Sequence, residues 1–207
     1  IKRVILLVFG LICCVGEAFS QTYFNEFGRR IVKTEYEDKI LNGPYFGVPG
    51  DQEGDMKLVH RMPSGLTDAK LFYQKLGREA DFAAGKPLIV IYYPGKDECN
   101  STGLANDPKN LANDHKAILR YAEKHTASEP VYVYHHPHGL EKYKGIMTWI
   151  PDPEDVFKAN FFKFSYPCRS FVVISPKGNY RAILGEFPTS QIDVALKKLK
   201  HGKSKSR

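Results

Sequence analysis

Pro87-Leu88-Ile89-Val90-Ile91-Tyr92-Tyr93-Pro94-Gly95 decides how the rest of this chain is read. After Pro87 the side chains are apolar or aromatic without interruption, and several are β-branched. Such a run is too short for a stable helix and too apolar for a strand wetted on one face. It is expected as a central strand covered on both sides, with Pro94-Gly95 turning the chain into a loop.

Working outward, residues 66–84 carry Leu71, Phe72, Leu76 and Phe82 near a helical period, and Gly85 stands where a helix C′ glycine belongs. Downstream, a loop is expected to about Pro108. Residues 109–125 form a helix with Leu111, Ile118, Leu119 and Ala122 on one face, and 130–135 a second strand. A helix over 151–164 has Asp152 as its N-cap. Residues 169–175 are a third buried strand, Pro176-Lys177-Gly178 a tight turn, and 179–184 a fourth strand. The last helix opens at Thr189 or Ser190, where Ser190-Gln191-Ile192-Asp193 resembles a capping box, and Ile192, Leu196 and Leu199 give it an apolar stripe. Strands joined through helices lie parallel, whereas the terminal hairpin adds antiparallel strands. The expected fold class is therefore α/β, a three-layer sandwich around a mixed sheet. Ahead of it, 21–65 reads as an irregular N-terminal extension, with helical character in 24–40 and a Gly-, Pro- and acid-rich loop over 43–54.

The first twenty residues differ from the rest. Lys2 and Arg3 precede an apolar run from Val4 to Val15, and Ala18-Phe19-Ser20 matches a signal-peptidase site, so 1–20 is expected to be a signal peptide cleaved before Gln21. The run is shorter than the roughly 20 residues of a spanning helix, which disfavours an uncleaved anchor and stable membrane insertion. Secretion is the expected localisation. Cleavage removes Cys13 and Cys14 and leaves Cys99 and Cys168 in a compartment where disulfides persist. The net charge of +7 gathers in Lys197, Lys198, Lys200, Lys203, Lys205 and Arg207, with 201–207 as a basic tail. That cluster is either a solvated helix end or a patch for acidic polysaccharide; no nucleic-acid reader motif accompanies it.

Three stretches carry a resemblance to the thioredoxin-like superfamily: Ala83-Ala84-Gly85-Lys86-Pro87-Leu88-Ile89-Val90, Tyr166-Pro167-Cys168-Arg169-Ser170-Phe171-Val172-Val173-Ile174 with Pro176-Lys177-Gly178, and the final amphipathic helix. Together they span 66–200, the expected thioredoxin-like domain. Two branches are nearer than others. Tyr92-Tyr93-Pro94 and Arg169 with Ser175 to Gly178 resemble peroxiredoxins. Pro167-Cys168-Arg169 and His136-Pro137, after Val131-Tyr132-Val133-Tyr134, resemble iodothyronine deiodinases. The loop Pro94-Gly95-Lys96-Asp97-Glu98-Cys99-Asn100-Ser101-Thr102 departs from all of them, having neither Cys-x-x-Cys nor Thr-x-x-Cys. Alignment on the strand puts Asp97 or Ser101 at the nucleophile's position.

The resemblance implies that the loops holding Cys99 and Cys168 meet. Three readings of that meeting follow: first a structural disulfide, then a reversible thiol–disulfide pair supported by Arg169, then a lone Cys99 thiolate acting on peroxide with Arg169 beside it, with two unpaired thiols as the remainder. The sequon Asn100-Ser101-Thr102 makes Asn100 a candidate glycan acceptor. His135, His136 and His138 are weak candidates for a metal, since alternate residues of a strand face opposite ways and Pro137 bends the path. No cofactor motif is present. The function expected first is a secreted binding or matrix component without classical redox catalysis, meeting an extracellular protein or acidic polysaccharide. The alternative is an extracellular thiol–disulfide oxidoreductase or peroxidase using Cys99 with or without Cys168, and 21–65 is a further place for a partner site.

Overall fold

The computed structural model describes residues 21–201. The signal-peptide reading and the tail cations Lys203, Lys205 and Arg207 lie outside the described residues. The chain runs β1 (Thr22–Phe24), β2 (Arg30–Ile31), α1 (Lys33–Asn42), β3 (Tyr45–Pro49), β4 (Asp55–His60), β5 (Ser64–Leu66), α2 (Ala69–Lys75), α3 (Glu79–Ala83), β6 (Leu88–Tyr93), α4 (Glu98–Ser101), α5 (Pro108–His125), β7 (Val131–Tyr134), β8 (Trp149–Pro151), α6 (Val156–Asn160), β9 (Ser170–Ile174), β10 (Asn179–Ile183) and α7 (Ser190–His201).

The larger sheet has the order β5-β10-β9-β6-β7-β8. β6 pairs parallel with β7, and β7 with β8, while β9 lies antiparallel to β6 and β10 antiparallel to β9. Every residue of β6 is buried, as a strand covered on both faces requires. Alternation divides its side chains between two cores. Ile89 and Ile91 join Ile118, Phe171, Val173, Ile192 and Leu196 beneath α5 and α7. Leu88, Val90 and Tyr92 join Phe72, Phe157, Phe162, Val172 and Ile174 beneath α2 and α6. Helices on both sides of a mixed sheet make three layers.

Two expected helices break. Residues 66–84 split at Gly77, whose φ of +64° ends α2 while Arg78 N donates back to Tyr73 O at 2.8 Å, a Schellman closure. Gly85 (φ +72°) closes α3 in the same way. Residues 151–164 hold a 3₁₀ turn over Pro153–Asp155 before α6, because Glu154 and Asp155 both take left-handed φ of 53°. Asp152 still caps α6, from further upstream than an N-cap, accepting from Phe157 N at 3.0 Å and Lys158 N at 2.8 Å. Its burial pushes that carboxyl above the usual range.

The reading of 21–65 as irregular gives way to regular elements. A four-stranded sheet of order β2-β1-β4-β3 carries α1, and β5 joins the larger sheet beside β10. The Gly- and Pro-rich stretch expected as a loop is the β3–β4 hairpin, paired from Tyr45↔His60 to Pro49↔Met56. Val48 enters the α2/α6 core, and Phe46 packs on Tyr166 at 5.6 Å between ring centroids. The segment between β4 and β5 runs along β10, with Leu184 N donating to Arg61 O and Ala182 N to Pro63 O.

α5 and α7 are tied at their ends. Asp193 accepts from His125 Nε2 at 2.7 Å and from Lys124 Nζ at 3.0 Å, and these bonds hold its carboxyl below the usual value. A carboxylate depressed in the folded state stabilises fully above its unfolded pKa, and that contribution is lost as pH falls through the folded value. Thermal unfolding of Asp193→Asn is therefore expected to lose less midpoint than the parent between about pH 4 and pH 2. Lys197, Lys198 and Lys200 are exposed on the far side of α7.

Candidate functional site

In the stretch β7-β6-β9-β10 of the larger sheet, with α5 and α7 on one face, the end of β6 lies against the start of β9. Cys99 and Cys168 meet there in a disulfide, with Cα atoms 5.1 Å apart and the two residues 69 positions apart along the chain. Cys99 sits in the single turn of α4, just after Pro94-Gly95 ends β6. Cys168 sits two residues before β9 in left-handed backbone, φ +65°, a conformation that costs a non-glycine residue roughly 1–2 kcal/mol and needs neighbours to hold it.

Those neighbours are Asp97 and Asn100. Asp97 caps α4 through Oδ1, which accepts from Asn100 N at 2.7 Å, and its Oδ2 accepts from Cys168 N at 2.8 Å. Asn100 answers with Oδ1, which accepts from Asp97 N at 3.2 Å, completing a capping box. Asn100 Nδ2 donates to Gly95 O at 2.8 Å and to Cys168 O at 3.3 Å. The side chain is buried, 2% exposed, and ties both loops of the bridge together. Asn100, the candidate glycan acceptor, therefore has its amide nitrogen bonded inside the fold, so a sugar there would compete with the two bonds that tie the loops. Asp97 and Ser101, at the nucleophile's position by alignment, hold hydrogen bonds within α4; Ser101 Oγ donates to Asn100 Oδ1 at 3.3 Å.

Charge surrounds the bridge. Lys142 Nζ donates to Asn100 O, and its ammonium is lowered below the usual lysine range by burial first and by the Arg169 charge second. Arg169 NH2 bonds Asp114 Oδ2 at 3.1 Å, and Thr189 Oγ1 bonds the other oxygen of Asp114 at 2.9 Å. Arg169 NH1 is buried without a protein partner among the described residues. The two cysteines open on different spaces. Cys99 lines a wide groove of about 920 Å³ with Lys96, His136, His138 and Tyr166. Cys168 lines a smaller cavity of about 330 Å³ with Arg169, Asp114, Tyr143 and Glu186.

The histidines do not converge on a metal. His135 is held between Asp155 Oδ1 at 3.3 Å and Lys158 Nζ at 3.0 Å, while His136 and His138 are exposed on the groove. Sequence reasoning missed Asn100 as the tie, Lys142 and Glu186. Only the first left a local signal, the Asp97-x-x-Asn100 spacing of a capping box.

No family model and no curated protein sequence matches the chain. Among solved structures, MTB DsbF in its mixed oxidized and reduced forms aligns at 16% identity and a TM-score of 0.35, over 56% of this chain and 81% of that one. A secreted Mycobacterium tuberculosis disulfide oxidoreductase homologous to E. coli DsbE aligns at 13% identity and a TM-score of 0.33, over 55% and 81%. Superpositions this loose carry no weight for chemistry, and the fold stands on the strand pairing above.

Proposed function

We propose that the chain is a thiol–disulfide exchange protein in which Cys99–Cys168 is the exchangeable bridge. The observation that carries this reading is the bridge's two-sided setting at the end of the sheet: Cys99 on an open groove, Cys168 on a cavity that holds the Arg169 guanidinium. A thiolate entering the groove attacks Cys99 Sγ in line with the S–S bond. The bond breaks, its electron pair leaves on Cys168 Sγ, and the nearby guanidinium stabilises that thiolate. A second thiol of the incoming dithiol then displaces Cys99. The dithiol ends as a disulfide, and both cysteines end reduced, having gained two electrons and two protons.

Asp97 and Asn100 keep the loops in register while the bond is open. A peroxide-reducing role for a lone Cys99 fits less well, because its sulfur is already committed to Cys168. The finer kinship with peroxiredoxins or deiodinases rests on Tyr92-Tyr93-Pro94, His136-Pro137 and Pro167-Cys168-Arg169, and we carry it as part of this proposal. The reading needs an oxidising compartment, which the leader-like 1–20 supports.

Equilibration of the native protein with glutathione buffers, followed by thiol alkylation, tests it. The bridge is expected to open with a potential near about −200 mV, in the range of exchange proteins. A bridge that stays closed below about −300 mV overturns the reading and leaves a staple in a secreted binding or matrix protein.

A further inference from the structure

Glu186 has no part in the exchange just described, yet one of its carboxylate oxygens and the two cysteine sulfurs all lie within 4.8 Å of one another. Its backbone is pinned from two sides. Arg61 accepts from Leu184 N through its carbonyl and donates from NH2 to Glu186 O, both at 2.8 Å. Gly185 N donates to Ser170 Oγ at 2.9 Å, and a Cβ at Gly185 would lie 2.8 Å from the Phe46 ring. The N-terminal sheet and β9 thus fix where this carboxylate stands.

We propose that Cys99, Cys168 and Glu186 form a zinc site when the bridge is reduced, with water in the fourth position. The inference rests on the exchange reading, since an oxidised pair offers no thiolate. Tetrahedral zinc, with Zn–S of about 2.3 Å and Zn–O of about 2.0 Å, needs donors about 3.5–4 Å apart, so the bonded sulfurs must part while the carboxylate already stands within 4.8 Å of both. Cysteine Cα atoms 5.1 Å apart allow the freed sulfurs to part by side-chain rotation alone. Two thiolates are soft ligands that favour zinc over magnesium or calcium. Binding displaces one proton from each thiol. Zinc, two thiolates and a carboxylate sum to one negative charge, which the Arg169 guanidinium in the same cavity offsets. The metal and the disulfide are then exclusive states of one site, so zinc holds the pair reduced and its removal frees the pair to re-oxidise.

The test titrates Zn²⁺ into the full chain reduced by a phosphine, against a chromophoric chelator. One zinc is expected beyond the background of the Cys99→Ser/Cys168→Ser variant, which also accounts for Cys13 and Cys14, and none beyond it in the oxidised protein. Glu186→Gln is expected to weaken binding about tenfold or more, and saturating zinc to slow re-oxidation by oxidised glutathione. A His136→Ala/His138→Ala variant is expected to bind unchanged. Reduction without zinc uptake, full affinity in Glu186→Gln, or loss in the histidine variant each overturns the site and leaves exchange standing. A bridge that resists the phosphine in the native protein sinks the exchange reading and the zinc site with it.

Discussion

The Cys99→Ser/Cys168→Ser variant is expected to unfold about 4 kcal/mol more easily than the oxidised parent in urea, and to lose thiol–disulfide exchange completely. The magnitude follows from the 69 positions of chain that the bridge closes, since a crosslink over so long a loop removes much of the freedom of the unfolded chain. The slope of the urea transition should rise as well, because the unfolded variant is less compact. The same number constrains the chemistry. For a two-electron couple, about 30 mV corresponds to 1.4 kcal/mol, so folding lowers the bridge's potential by about 90 mV relative to the same pair in the unfolded chain. A pair that distant closes poorly when unfolded and starts from an easily reduced position, so the shift leaves it within reach of glutathione. Left-handed Cys168 works against the full gain. A parent no more stable oxidised than reduced would mean that backbone strain cancels the loop term, and a parent stabilised by far more than 4 kcal/mol would mark a staple.

The sheet was legible because β6 and β9 are buried on both faces, and two-sided burial writes an unbroken apolar run such as Leu88 to Tyr93. The meeting of Cys99 and Cys168 came from the implied topology, as neither residue announces the other along the chain. What stayed hidden obeys no such pattern. β1 to β4 are short, half-exposed strands whose burial comes from packing beside Tyr166 and the end of β10, so their sequence shows turn chemistry more strongly than alternation. Glu186 is held beside the bridge by Arg61, a contact across 125 positions, and by the Gly185–Ser170 bond. The structural part of Asn100 was not legible from its sequon, which reports acceptor chemistry and is blind to whether the amide is already donating. Its spacing to Asp97 held the better clue.

Asn100→Asp is the substitution expected to damage the site most for the fewest atoms changed. The parent amide gives two hydrogens to Gly95 O and Cys168 O, so the introduced oxygen faces two carbonyls with nothing to donate, and its charge is buried beside Asp97. Leaving those groups unpaired costs about 3 kcal/mol or more. The pH dependence separates this cause from simple loss of packing. Burial raises the folded-state pKa of the introduced carboxyl above its unfolded value, so the protonated form is favoured by folding. The penalty is then largest at neutral pH and shrinks as pH falls through that raised pKa, whereas Asn100→Ala loses stability by an amount nearly flat across the same range. Urea midpoints of both variants at pH 5 and pH 8 read the difference. Glutathione should also open the bridge faster in both, since Gly95 and Cys168 are no longer tied through one side chain. Thr102→Ala removes the sequon and leaves the Asn100 amide in place. Its expected mass in protein exported from a glycosylating host differs from the parent by the substitution alone, because a sugar on Asn100 would replace one of the two N–H groups that hold Gly95 O and Cys168 O inside the fold.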